Sequence, residues 1–178
     1  MPDIIIIAHN IRSTHNVGSI FRTAEGFGAS EVILSGYTPY PDLSLCVETP
    51  TCAYNTSTDL PHDARLPHIR EKITSQIHKT ALGAEALVPF RYEETPNLQA
   101  LRDIGYRIVA LEQADASTNL RDYTTPTKVA LLLGEEVHGI EAELLMQVND
   151  IIEIPMAGQK ESFNVSVATG IALYALTK

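Results

Sequence analysis

The sequence predicts an α/β protein, a mostly parallel sheet covered by helices on both faces. Short apolar runs recur at residues 3–8, 31–35, 106–111, 128–133 and 151–154, each too short for a helix. Segments whose apolar residues repeat with helical period lie between them. Strands separated by helices favour a parallel sheet, because parallel neighbours need a crossover that helices supply.

Residues 3–8 read as a buried first strand. From Asn16, the residues Val17, Ile20, Phe21, Ala24 and Phe27 form one helical stripe, and Gly28 stands where a helix C-terminus prefers glycine. Glu31–Ser35 is the second strand. Gly36–Pro67 holds five of the ten prolines and keeps no period, so a long surface loop with at most one short strand is expected there. Helical spacing resumes over 69–79, and Leu98–Ile104 reads as a short helix ahead of Gly105. Tyr106–Leu111 and Lys128–Leu133 are buried strands, Glu141–Val148 a helix, Ile151–Ile154 a strand and Val165–Leu176 the last helix. No internal repeat or linker interrupts this order, and residues 1–178 read as one domain.

Composition narrows the function classes. The chain has 178 residues, 44% apolar and 20% charged, which suits a globular domain with a core of its own. No apolar run approaches the roughly 20 residues that span a bilayer. The start, Met1–Ala8, lacks a basic region before its apolar run, so cytoplasm is the expected compartment. Cys46 and Cys52 read as reduced thiols. Even with His62 and His68 nearby their spacing fits no zinc pattern, so no metal is expected. A net charge of −9 argues against broad, nonspecific attachment to nucleic acid, which relies on lysine and arginine neutralising phosphates.

Three polar clusters follow strands, and ligands of such sheets bind outside the carboxyl ends of the strands. The first runs from His9 to Arg22. Asn16 can cap the helix and Gly18 permits close approach of another backbone, while Arg22 lies about 120° around the helix from Asn16. The second is Gly134-Glu135-Glu136-Val137-His138-Gly139, an acidic strand-to-helix turn; it is neither a dinucleotide fingerprint nor a phosphate-binding loop. The third, Ile154–Tyr174, joins a short strand to a small-residue helix through a polar loop. Ser162 and Asn164 compete there for the N-cap, and the loop is longer than capping requires.

Together the clusters resemble the three motifs of the SpoU (TrmH-type) branch of the SPOUT superfamily, the RNA ribose 2′-O-methyltransferases. Motif one matches at Asn16, Gly18 and Arg22, and motif two at Gly134, Glu136 and Gly139. Motif three matches at Ile154, Pro155, Met156, Gly158, Ser162, Asn164, Val165, Ser166, Val167, Ala168 and Gly170. Phe163 departs from the usual leucine, and Glu135 from the usual asparagine or serine.

The resemblance implies a deep trefoil knot near the C-terminus, S-adenosylmethionine held in the knot's loops, and a homodimer with active sites at the interface. It makes Gly134, Ile154, Met156 and Phe163 cofactor-binding, with Leu111 as a further contact. It makes Arg22, Asn16, Glu136, Ser162 and Asn164 the catalytic set. A guanidinium is a poor base, so Arg22 is expected to hold an RNA phosphate and stabilise the developing alkoxide, reaching the site from the other subunit. Glu136 would orient Arg22 or Asn16; Ser162 and Asn164 would hold the ribose or the loop.

The expected function is methyl transfer from S-adenosylmethionine to a ribose 2′-hydroxyl of tRNA or rRNA. The alternative within the same fold is a noncatalytic RNA-binding or assembly protein. An unrelated α/β enzyme would use Glu135, Glu136 and His138 as acid–base groups. Target choice is expected to involve the 36–67 loop and Arg12, with a basic partner protein as a further possibility left open by the acidic charge.

Overall fold

A computed structural model describes residues 1–45 and 63–178. Cys46, Cys52, His62 and most of the expected Pro-rich loop lie outside the described residues. Seven strands form one sheet: β1 (Asp3–His9), β2 (Glu31–Ser35), β3 (Phe90–Glu93), β4 (Arg107–Leu111), β5 (Thr118–Asn119), β6 (Lys128–Leu133) and β7 (Asp150–Glu153). Their spatial order is β3-β2-β1-β6-β4-β7-β5, and every strand pair is parallel. The helices are α1 (Thr14–Phe27), α2 (Pro67–Ala81), α3 (Leu98–Asp103), α4 (Ala142–Leu145) and α5 (Val165–Leu176).

Alternation along β1 shows why its run is apolar on both sides. Ile4, Ile6 and Ala8 face the layer of α1, α2 and α5, whereas Ile5 and Ile7 face α3 and α4. Each fully buried side chain of this size contributes about 1.5–3 kcal/mol. Phe21 of α1 meets Phe90 of β3 edge-on, with ring centroids 5.5 Å apart. At Gly18 the helices α1 and α2 touch. A Cβ there would lie 3.0 Å from Ala81 N and closer still to Ile77 O, so the close approach noted in the sequence is to a neighbouring helix.

The differences from expectation are local. Helix α1 begins at Thr14 with Ser13 as its cap. Asn16 is therefore inside the first turn, its backbone N–H donating to Ser13 Oγ at 3.3 Å. The cap belongs to Ser13 because Ser13 has the extended backbone of a capping residue, which frees the Asn16 amide for other contacts. Helix α2 extends two residues beyond the expected span at each end, starting on Pro67 at a position that suits proline. Helix α4 is shorter than expected. Gln147 and Val148 donate to Leu144 and Leu145, three residues back, so the last turn is too tight for an α-helix.

Two strands were not anticipated. In β3, the four residues Phe-Arg-Tyr-Glu include two charges, but Phe90 is in the core and Arg91 is paired, so the edge holds. Strand β5 has two residues, too few for any period. Among the described residues no helix is long and apolar enough to cross a membrane.

Candidate active site

A cavity of about 280 Å³ opens at the carboxyl ends of β4, β6 and β7. Its apolar wall comes from Leu111, Leu133, Ile154, Phe163, Val165 and Ala168. Its polar rim comes from the turns that follow the strands. Among these, Gly134 holds a position with no room for a side chain. A Cβ on Gly134 would lie 2.5 Å from the carbonyl carbon of Gly139 and 2.6 Å from Ile140 Cγ1, because the 135–139 turn folds back on itself. Glu135 and Gly139 exchange both backbone hydrogen bonds, at 3.0 and 2.9 Å. Gly139 takes the left-handed conformation, with φ 70°.

Glu112 braces this turn from β4. Its carboxylate accepts from Ile140 N at 2.9 Å and from Gln113 N at 2.9 Å. The neighbouring Gln113 donates from Nε2 to the carbonyl of Glu161 at 2.6 Å, tying the loop after β4 to the loop after β7. Both residues line the cavity, and the sequence reading passed over them. Their signal was position alone: they directly follow Leu111, at the carboxyl end of a strand.

The three polar clusters meet through one chain of amides and carboxylate. Asn16 Nδ2 donates to Glu136 Oε1 at 2.9 Å, and Asn164 Nδ2 donates to Asn16 Oδ1 at 3.1 Å. The backbone N–H of Arg12 reaches Glu136 Oε2 at 3.4 Å. Asn164 also caps α5, its Oδ1 accepting from Ser166 N at 3.0 Å and Ser166 Oγ at 2.7 Å. Asn164, not Ser162, is thus the N-cap. Ser162 lines the cavity, exposed, with no side-chain hydrogen bond among the described residues.

Of the expected cofactor contacts, Leu111, Gly134, Ile154 and Phe163 line the cavity. Met156 is half-buried and is not part of its lining. Of the expected catalytic set, Glu136 and Ser162 line the cavity, and Asn16 and Asn164 are bonded to Glu136 directly or in series. The side chain of Glu136 is thus bonded to that of Asn16. Arg22 lies apart, exposed on α1, and has no ion pair or side-chain hydrogen bond among the described residues. His138 and Glu135 also border the cavity. Among the described residues no group of three or more His, Cys, Asp and Glu could hold a metal ion.

Comparison with known proteins decides the family. The model of the SpoU rRNA methylase family matches residues 62–174, more than half of the chain. The chain belongs to the SpoU rRNA methylase family. This SpoU chain is 31% identical over 174 residues to a tRNA (guanosine(18)-2′-O)-methyltransferase of Aquifex aeolicus, covering 97% of the chain and 67% of that enzyme. It is 27% identical over 176 residues to a 23S rRNA (guanosine-2′-O-)-methyltransferase of Nitrosomonas europaea, covering 97% of the chain and 55% of that enzyme. Its fold matches the crystal structure of an S-adenosylmethionine-bound rRNA methyltransferase from Sinorhizobium meliloti with a TM-score of 0.74 and 25% identity, over 98% of the SpoU chain and 55% of that protein. The SpoU chain thus spans between about half and two thirds of these relatives' lengths.

Proposed function

We propose that this chain transfers the methyl group of S-adenosylmethionine to a ribose 2′-hydroxyl of tRNA or rRNA, in the cytoplasm. One observation carries the reading. The hydrogen-bonded series Glu136–Asn16–Asn164 joins all three polar clusters at the mouth of a cavity of ligand-binding character. Family membership and the named activities of the relatives support it.

The cavity fits the cofactor. Leu111, Ile154 and Phe163 offer apolar contact, Gly134 leaves the turn's backbone bare, and Glu112, Glu135, Glu153 and Glu161 suit a positively charged molecule. When bound, S-adenosylmethionine supplies an electrophilic methyl group. The chain's own residues position the acceptor. Asn164 and Ser162 face the ribose, and Glu136 fixes the Asn16 amide. Met156, in the same loop as Phe163, is a further proposed contact of the cofactor.

A deep trefoil knot formed by the loops after β4, β6 and β7 belongs to the same reading. The Gln113–Glu161 bond between two of those loops and the fold shared with the Sinorhizobium structure support it. So does a homodimer. Helix α5 buries Thr169, Ala172, Leu173 and Leu176 on one side and leaves Val167, Ile171 and Tyr174 exposed on the other. A helix apolar on all sides is built to be covered on all sides. Helix α1, which carries Arg22, adjoins α5: a Cβ on Gly170 would lie 3.7 Å from Thr23 Cγ2. A second copy on this face would bring its Arg22 to the first copy's cavity, where it holds the RNA phosphate and stabilises the alkoxide.

Transfer of tritium from labelled S-adenosylmethionine to RNA tests the reading. Arg22→Lys is expected to lose at least about tenfold in rate, since a guanidinium's planar two-point contact is not reproduced by an ammonium. A protein that shows no calorimetric binding of S-adenosylmethionine at millimolar concentration would refute the whole reading.

A further inference from the structure

We propose that Arg12 and Tyr37 form a nucleotide platform beside the cavity, the guanidinium taking an RNA phosphate and the tyrosine ring the attached base. The inference rests on the methyltransferase reading for its substrate class and on separate residues for its site. The cavity is lined by Glu112, Glu135, Glu136, Glu153 and Glu161, and among the described residues by no lysine or arginine. A polyanion approaching such a rim is repelled unless a cation stands in front of it. Arg22 of the same chain does not line the cavity. Arg12 adjoins it.

Arg12 is anchored for this task. Its guanidinium pairs with Glu135, whose side chain is 9% exposed, while its own side chain is 62% exposed. Its backbone N–H is bound to Glu136. A guanidinium carries five donors, so a pairing with one buried carboxylate leaves donors facing outward. Tyr37 is 52% exposed, and its hydroxyl is near enough to the same guanidinium to help hold it above its ordinary pKa range.

The two loops that carry the pair are stitched together. Tyr37 N donates to Asn10 Oδ1 at 3.2 Å, and Asn10 Nδ2 donates to Glu141 Oε1 at 2.9 Å. Asn10 adopts φ 57° to do so, a left-handed conformation that asparagine tolerates. Thr38 Oγ1 accepts from Ile11 N and donates to Ala8 O, both at 2.9 Å. Tyr92 holds the intervening turn by donating to Gly36 O at 2.8 Å. An exposed ring and an exposed planar cation, carried on two loops fixed to each other, are what single-stranded RNA uses for stacking and phosphate contact. Glu135 is then a positioning residue for Arg12.

Fluorescence anisotropy with an unstructured oligoribonucleotide of about 12 residues tests the platform, a length within single-strand site sizes. Arg12→Gln and Tyr37→Leu should each weaken binding about tenfold, while Tyr37→Phe stays within about twofold because the ring remains. Arg12→Gln should also lower the slope of log affinity against log salt by about one, and Tyr37→Leu should leave it unchanged. S-adenosylmethionine affinity, read by calorimetry, should hold in all three variants, which shows that they fold. Unchanged RNA binding in Arg12→Gln and Tyr37→Leu, or no RNA binding by the unsubstituted protein, overturns the platform. The two readings fail separately. Methyl transfer with unaltered variants sinks the platform alone; absent methyl transfer with weakened variants sinks the methyltransferase reading alone.

Discussion

The two halves of the sheet place their charged residues in different settings. In the half built from β1, β2 and β3, charges are matched within the chain. Glu31 is wholly buried and pairs with Arg91, which also donates to Glu93 at 2.7 Å. Arg65 is bound by Asp63, by the carbonyls of Tyr40 and Pro41 at 2.8 and 3.0 Å, and by the Tyr40 ring at 3.5 Å. In the half built from β4, β6 and β7, Glu112, Glu135 and Glu136 also have partners in the chain, but together with Glu153, Glu161 and Ser162 they rim an open cavity. Buried polar groups need partners. Where the chain supplies them the group is scaffold, and where it faces a cavity a ligand can supply them.

Removing a partner from the matched half should have the largest effect. Arg91→Met leaves Glu31 buried and uncompensated, an expected loss of about 3–5 kcal/mol of stability. Burial already pushes the Glu31 carboxyl above its ordinary range, against the opposing pull of Arg91. The double variant Glu31→Leu/Arg91→Met should recover most of the loss, because a pair replaced by apolar groups is often neutral. Urea titration measures both. S-adenosylmethionine affinity of the folded variants should stay constant; a shift in affinity matching the shift in stability would erase the distinction between the halves.

Gly134→Ala probes the open half. The new Cβ must displace Gly139 or Ile140 in a turn that borders the cavity. Overpacking of this kind costs about 1–3 kcal/mol, which corresponds to about 5–150-fold weaker cofactor binding if the turn yields. Calorimetry with S-adenosylmethionine should register the loss, while the melting temperature falls less than in Arg91→Met.

Asn164 belongs to both categories, and two substitutions separate them. Asn164→Ala removes the α5 cap, at about 1 kcal/mol, together with the bond to Asn16. Asn164→Asp keeps a capping oxygen but has no amide to donate to Asn16. Stability should therefore return in Asn164→Asp while methyl transfer stays low. Equal recovery of both would make Asn164 a cap and nothing more.

What the sequence revealed follows the same division. The strands β1, β2, β4, β6 and β7 were legible because packing against helices on both faces keeps their central residues apolar. β3 escaped because its partners, Glu31 and Glu93, are brought to Arg91 only by the fold. At the site, the spacing of Gly134, Glu136, Ser162 and Asn164 marked the loops that border the cavity. That Asn16 would bond both Glu136 and Asn164 could not be read from positions 120 and 148 residues apart. Ser13 took the cap that Asn16 was expected to fill, which is what leaves the Asn16 amide for Glu136. The absence of Met156 from the cavity lining depends on how the 154–164 loop folds, which no local period encodes.

The smallest effect is expected at the far end of β7, where Asp150 sits on the edge of the sheet opposite the cavity. Its Oδ1 accepts from Arg107 Nη2 at 2.8 Å and its Oδ2 from the Tyr123 hydroxyl at 2.8 Å. Arg107, first, and then the Tyr123 bond hold the Asp150 carboxyl below its ordinary range against some desolvation. A depressed carboxyl contributes stability that is present above its unfolded value and lost as pH falls through its folded one. Because Arg107 is half exposed, solvent screens the pair and the contribution should stay under about 1 kcal/mol. For a chain of this length that is at most about 2–4 °C in melting temperature. Asp150→Asn should show this deficit at neutral pH and close it as pH drops from about 4 towards 2. A deficit that persists unchanged to pH 2 would assign the loss to packing of the asparagine. Cofactor affinity should not move at any pH, since this ion pair, like Glu31 and Arg91, finds its partners within the chain.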